Sequence, residues 1–248
     1  MEDGMSKIFV VGIGPGNLED MTLRAKKAIE ASDVVIGYSA YIDLIRDYFP
    51  GKEMLSSGMT REVERCRQVL EKALEGKTVA LISSGDSGIY GMAGVMLEVM
   101  HAEGKDIPVE IIPGITAASS AASILGAPLV HDFAAISLSD LLTPLELIYK
   151  RVEYAALADF VICLYNPKSK SRSEYIGAAR EIIMKYRPVT TPVGIVRNAG
   201  REGESLVIAT LLEMLEHEID MFTVVIIGNT QTYVKNGRMI TPRGYRIY

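Results

Sequence analysis

The sequence predicts an α/β fold, and three observations carry that prediction. Short apolar, β-branched runs recur along the chain, among them Lys7–Val11, Thr78–Ile82 and Val109–Ile112. Segments of helical period alternate with them, such as Thr60–Leu74 and Gly91–Met100. Two of the runs empty into glycine-rich loops, Gly12-Ile13-Gly14-Pro15-Gly16 and Ser83-Ser84-Gly85-Asp86-Ser87-Gly88-Ile89-Tyr90-Gly91. Both loops therefore leave the carboxyl ends of strands, where open α/β sheets hold their ligands.

Taken in order, Lys7–Val11 is the first strand. Leu18–Ala31 follows as a helix, with Leu18, Met21, Ala25, Ala28 and Ile29 near one face. The second strand spans Asp33–Tyr38 and runs into the densest aromatic stretch of the chain, Tyr38, Tyr41, Tyr48 and Phe49. These rings either pack under a helix or line a cleft for a flat, partly apolar ligand, since aromatic faces give contact area at low entropy cost. Thr60–Leu74 is an amphipathic helix with a charged outer face. Thr78–Ile82, the second glycine-rich loop and a helix over Gly91–Met100 come next. Val109–Ile112 is closed by Pro113-Gly114-Ile115-Thr116-Ala117, and Thr116–Leu125 is a helix of small residues suited to close packing or to a ligand.

The first strand–helix series ends there, so the domain boundary falls between Gly114 and Pro128, with domains 1–120 and 121–248. In the second half, Thr143-Pro144-Leu145-Glu146 predicts a helix start with a Thr cap and Pro in the first turn. Strands are expected over Asp159–Tyr165, Pro192–Arg197, Glu204–Ile208 and Thr223–Ile227. Thr210-Leu211-Leu212-Glu213 caps a short helix, and Gly228-Asn229-Thr230 turns the chain. The loop Asn166–Arg172 carries Lys168, Lys170 and Arg172, and reads either as a solvated loop or as an anion-binding one.

The chain has 248 residues, 48% hydrophobic and 23% charged, an ordinary globular balance that leaves room for one large domain or two medium ones. No apolar run reaches the roughly 18 residues of a membrane span, and no signal-peptide core is present near Met1. Cys66 and Cys163 are expected as reduced core thiols, and two such cysteines make no disulfide framework and no metal site. A cytoplasmic location is expected. The net charge of −5 argues against nonspecific nucleic-acid binding. The dinucleotide fingerprint fails because Asn17 stands where the third glycine belongs, and no acid closes the second strand. The Gly-Lys-Ser/Thr ending of the NTPase phosphate loop is absent, and Pro15 removes a backbone donor that a phosphate would need.

Three motifs, Val11–Gly16, Gly85–Gly91 and Pro113–Ala117, fall in the order and spacing seen in the tetrapyrrole methylases, which the chain resembles from Lys7 to about Thr230. The stretches Gly37–Tyr41, His131–Phe133 with Ile136–Pro144, and Leu164–Pro167 resemble the branch that methylates carbon 17 of the corrin macrocycle and contracts the ring, giving precorrin-4 or its cobalt form. Members commonly carry Asp-Pro where this chain has Asp86-Ser87. The resemblance implies two α/β domains with S-adenosylmethionine in the cleft between them, a corrinoid small-molecule substrate, and a homodimer. It implies cofactor contacts from Pro15, Ser84, Gly85, Asp86, Ile89, Thr116 and Ala117, and second-domain contacts from Asn166 and Ala199.

Transfer of an electrophilic sulfonium methyl to an electron-rich ring carbon needs positioning more than a nucleophile–base pair. Ring contraction moves protons, and His131 with Asp132 is the candidate acid–base group. Tyr38, Tyr41, Lys168 and Arg172 are the candidate substrate contacts, with Lys170, Arg197 and Arg201 as further cations for its carboxylates. Two other readings stand beside this one: the same fold acting on another corrin carbon or on uroporphyrinogen, and a nicotinamide-dependent reductase.

Overall fold

The computed structural model describes residues 6–169 and 172–246, and its chain divides into two compact units, Met1–Ala117 and Ala118–Tyr248. The first contains β1 (Ile8–Gly12), α1 (Leu23–Ala31), β2 (Val34–Tyr38), α2 (Ser39–Ile45), β3 (Glu53–Ser57), α3 (Glu62–Leu74), β4 (Val79–Ser83), α4 (Ala93–Ala102) and β5 (Val109–Ile112). All five strands are parallel, in the order β3-β2-β4-β1-β5. Both faces of the sheet are covered, which is why the strands read as continuous apolar runs. Ile8, Val10, Val34, Ile36, Val79 and Leu81 pack against α3 and α4 on one face, while Val11, Val35, Ala80 and Ile82 pack against α1 and α2 on the other.

This order makes the site. The chain leaves β1 by a helix on one face and leaves the adjacent β4 by a helix on the opposite face. The crevice outside their carboxyl ends is the topological switch point of the sheet. The two glycine-rich loops are the loops that border it.

The second unit holds α5 (Ala117–Leu125), β6 (Gly126–Ala127), β7 (Phe133–Ser137), α6 (Leu145–Leu157), β8 (Val161–Tyr165), α7 (Tyr175–Met184), β9 (Pro192–Arg197), β10 (Ser205–Thr210), β11 (Thr223–Ile227), β12 (Tyr233–Lys235) and β13 (Arg238–Ile240). Its main sheet runs β10-β9-β11-β8-β7, with β7 and β8 parallel and β11 antiparallel to both β8 and β9. Helices α6 and α7 cover one face. The small-residue helix α5 packs on the other: the Leu125 side chain lies where a Cβ on Gly194 would stand, and the Tyr165 hydroxyl accepts the Ala118 amide at 2.9 Å. Arg187 is buried and ties this unit together, donating to the carbonyls of Ala156, Phe160 and Gly228 and pairing with Asp159 at 3.1 Å.

Three expected boundaries move. The helix expected from Leu18 starts at Leu23, because Asn17 and Asp20 close a side-chain turn and the Thr22 hydroxyl caps the Ala25 amide at 3.1 Å. At α6 it is Pro144, in extended conformation, that occupies the cap position, with no side-chain cap bond from Thr143. The strand expected over Glu204–Ile208 runs on to Thr210. The capping box at Thr210 and Glu213 forms in both directions, amide to hydroxyl at 3.3 Å and amide to carboxylate at 3.2 Å.

Candidate functional site

In the first unit the glycine-rich loops are bonded to each other. The Gly14 amide donates to the Gly85 carbonyl at 3.0 Å, and the Gly85 amide donates back to the Gly14 carbonyl at 2.8 Å. Both residues are left-handed, with φ of 69° and 70°. Gly12 and Gly114 are needed for a different reason. A Cβ on Gly114 would stand 2.2 Å from the Gly85 carbonyl oxygen, and one on Gly12 would stand 2.7 Å from the same atom. Three backbones therefore cross with no room for side chains.

Asp86 fixes the second loop from within. Its Oδ1 accepts the amides of Gly88 and Ile89 at 2.8 and 3.1 Å, and its Oδ2 accepts the Gly114 amide at 3.0 Å. The Ser87 hydroxyl adds a bond to the Ile112 carbonyl at 2.9 Å. Asp86 thus acts on the loop backbone, and the Ser87 hydroxyl joins the loop to β5.

The sequence-derived candidates Pro15, Ser84, Gly85, Asp86, Thr116 and Ala117 gather on the loops after β1, β4 and β5. A Cβ on Gly85 would stand at ordinary contact distance, 3.7–3.8 Å, from the backbone of Ala117 and Thr116, whereas one on Gly12, Gly14 or Gly114 would meet backbone within 2.8 Å. Ile89 is exposed on the same loop. At the foot of the loop the buried Ser83 hydroxyl has no hydrogen-bond partner in the protein. A buried hydroxyl without a protein partner fits a ligand that offers it a polar group. Tyr38 and Tyr41 stand at the carboxyl end of β2, next to β4, their rings edge to face at 5.1 Å. Tyr41 also packs on the core, as the packing reading of the aromatic stretch expects.

In the second unit, β7, β8 and β9 all point their carboxyl ends to one edge. Asn166 and Ala199 both lie there. The loops after β8 and β9 leave through left-handed asparagines, Asn166 at φ 49° and Asn198 at φ 51°. The Asn166 amide nitrogen donates to the Ser137 hydroxyl at 3.0 Å, so the side chain is held across two strand ends. Arg172 reaches the same edge, donating to the Leu138 carbonyl at 3.3 Å with its Nε 3.9 Å from Asp140. Lys168 is half-buried on this loop, and Lys170 lies outside the described residues.

Arg197 is already paired. Its Nε donates to Asp220 at 2.7 Å, and this bond raises the guanidinium pKa. Burial opposes ionisation of Asp220, but bonds from Arg197, Thr223 and the Phe222 amide outweigh it and hold its carboxyl below the ordinary range.

His131 and Asp132 do not join this group. They precede β7, and the Asp132 carbonyl accepts the Val161 amide at the start of β8. That puts them at the amino edge of the sheet, one five-residue strand from Ser137, or roughly 16 Å at the rise of a parallel strand. The His131 Nδ1 accepts the Asp132 amide at 2.9 Å, a local turn contact. The strand polarity of β7 thus sets His131 and Asp132 at the opposite edge of the sheet from Asn166.

Sequence reasoning gave no role to Asp140 or Tyr175. The Tyr175 hydroxyl donates to Asp140 Oδ2 at 2.7 Å, and its ring meets Tyr149 edge to face. Ser137 and Asp140 lie inside a stretch already singled out, but Tyr175 carried no local signal. Among the described residues no group of three His, Cys, Asp or Glu side chains is placed to hold a metal, and no helix is long and apolar enough to cross a membrane.

The family model described as Tetrapyrrole (Corrin/Porphyrin) Methylases matches residues 7–215. A "Probable cobalt-factor III C(17)-methyltransferase" of Salmonella typhimurium is 49% identical over 97% of this chain and its own full length. A "Cobalt-factor III methyltransferase" of Priestia megaterium is 50% identical over 97% of this chain, which spans 45% of that protein. Among solved structures, the methyltransferase CobJ has a TM-score of 0.89 at 33% identity, covering 96% of this chain and 100% of that one. A uroporphyrin-III C-methyltransferase from Thermus thermophilus, complexed with S-adenyl homocysteine, has a TM-score of 0.69 at 25% identity, covering 91% and 98%. With a family match over most of its length and a full-length relative at this identity, the chain belongs to the tetrapyrrole methylases.

Proposed function

We propose that this protein is an S-adenosylmethionine-dependent C-methyltransferase that methylates carbon 17 of a corrinoid of the precorrin-3B or cobalt-factor III class and contracts its ring, in cobalamin biosynthesis. The observation that carries this reading is the 49% identity to a named carbon-17 methyltransferase over that protein's full length. The meeting of the loops that carry Gly14, Gly85 and Thr116 at the carboxyl edge of the first sheet supports a cofactor there.

When bound, the cofactor supplies a sulfonium methyl, already electrophilic. The work left to this chain is to orient and to exclude water. Pro15, Ser84, Gly85, Ile89, Thr116 and Ala117 line the cofactor's place, with Asp86 keeping the loop amides in register. Asn166 and Ala199 are the second unit's contacts to it. Tyr38 and Tyr41 offer apolar faces to the macrocycle, while Lys168 and Arg172 offer charge-assisted hydrogen bonds to its carboxylates. The enzyme acts as a homodimer in the cytoplasm.

Incubation with precorrin-3B or cobalt-precorrin-3 and methyl-labelled cofactor tests the reading. Label at carbon 17 of a contracted ring is expected, and label at another carbon would make it a different methylase of the same fold. Light scattering of the purified protein tests the dimer.

A further inference from the structure

The carboxyl edge of β7 carries a feature that the methyl-transfer reading does not use. The loop Leu138–Pro144 presents Leu141 and Leu142 to solvent at 70% and 96% exposure, although leucines are ordinarily drawn inward. Beside them lies a built polar cluster. The Tyr175 hydroxyl donates to one oxygen of Asp140, the other oxygen faces Arg172 Nε at 3.9 Å, and Arg172 Nη1 donates to the Leu138 carbonyl on the same loop. The Arg172 side chain is only 14% exposed, so it is held by this frame and does not sweep through solvent. The bond to Asp140 also raises the Tyr175 pKa, which keeps the hydroxyl a donor.

A guanidinium makes five N–H donors in a rigid fork, and these contacts leave part of the fork available. Two exposed leucines next to a fixed guanidinium match a flat apolar molecule with carboxylates on its rim. We propose that this loop is the substrate-reading element: Leu141 and Leu142 lie against the macrocycle, and Tyr175 and Asp140 are positioning residues that hold Arg172 on one of its peripheral carboxylates.

This inference rests on the corrinoid reading of the site. The test is steady-state kinetics with precorrin-3B or cobalt-precorrin-3, with S-adenosylhomocysteine affinity measured alongside. Arg172→Ala should raise the corrinoid KM about 10- to 150-fold, the usual worth of a hydrogen bond to a charged group. Tyr175→Phe, which removes only the hydroxyl, should raise the same KM several-fold, with kcat and S-adenosylhomocysteine affinity within about twofold. In the Arg172→Ala background, Tyr175→Phe should add nothing further, because a positioning residue acts only through the group it positions. Leu141→Ser with Leu142→Ser should raise the corrinoid KM without lowering the melting temperature, since neither side chain is buried. An unchanged KM in Tyr175→Phe, or equal effects in both backgrounds, overturns the positioning role. A wild-type enzyme that turns over neither substrate overturns the functional reading itself, and this inference with it.

Discussion

Gly14 and Gly85 exchange backbone hydrogen bonds, amide to carbonyl in both directions, at 3.0 and 2.8 Å. This two-bond bridge joins the loops of neighbouring parallel strands above their last ladder bonds. It makes one rigid surface of two segments that are distant in sequence. The glycines on that surface fall into two physical classes, and the classes predict different outcomes.

Gly114→Ala forces a methyl to within 2.2 Å of the Gly85 carbonyl oxygen, so backbone must move. A loss of about 1–3 kcal/mol is expected from overpacking, with at least a tenfold loss of S-adenosylhomocysteine affinity. Gly85→Ala meets nothing closer than 3.7 Å but must hold φ near 70°, which costs about 1–2 kcal/mol of backbone strain. Urea unfolding and calorimetric titration of both variants check the distinction; an unperturbed Gly114→Ala enzyme would contradict the crossing geometry.

His131 stands at the amino edge of its sheet, and this place bears on what its removal should do. His131→Ala is expected to leave both methyl transfer and ring contraction within about twofold of wild type. A group that moves a proton in the reaction would cost on the order of 10²–10⁴-fold in the contraction step. Mass and absorbance analysis of the product decides this, and accumulation of a methylated, uncontracted ring would restore His131 to the chemistry.

The Arg197–Asp220 pair predicts an acid-sensitive contribution to stability. The Asp220 pKa is lower in the folded protein than in the unfolded chain, where aspartate titrates near about 3.9. Its stabilisation is present above that value and is lost as pH falls through the folded pKa. Asp220→Asn should lower the stability by roughly 1 kcal/mol at pH 7, with the gap to wild type closing towards pH 3. Urea midpoints measured from pH 7 to pH 3 report it; a gap that stays constant would mean the carboxylate charge contributes nothing.

Both cysteines should be silent in the native protein. Burial pushes the thiols of Cys66 and Cys163 up to about 12. Since the thiolate is the reactive form, a disulfide reagent at pH 8 should modify neither until the chain is unfolded, when both should react. Rapid native labelling of either would show that its segment opens.

The strands were legible in the sequence because β-branched runs bounded by glycine-rich turns have few other ways to fold. The glycine-rich loops were legible because their glycines sit at strand ends. The sequence also carried the family, through three motifs in register over most of the chain. Which loops meet was not legible: only the order β3-β2-β4-β1-β5 sets β4 beside β1 and brings Gly85 to Gly14. The reason for each glycine was likewise hidden, since a left-handed φ and a backbone crossing leave the same letter. His131 and Asn166 look alike as candidates on paper, yet strand polarity sends them to opposite edges. Tyr175 finds Asp140 across 35 residues of sequence. Local sequence fixes which segments become strands and helices through side-chain sterics and burial. The pairing of those segments, which decides what each side chain touches, is a property of the packed chain.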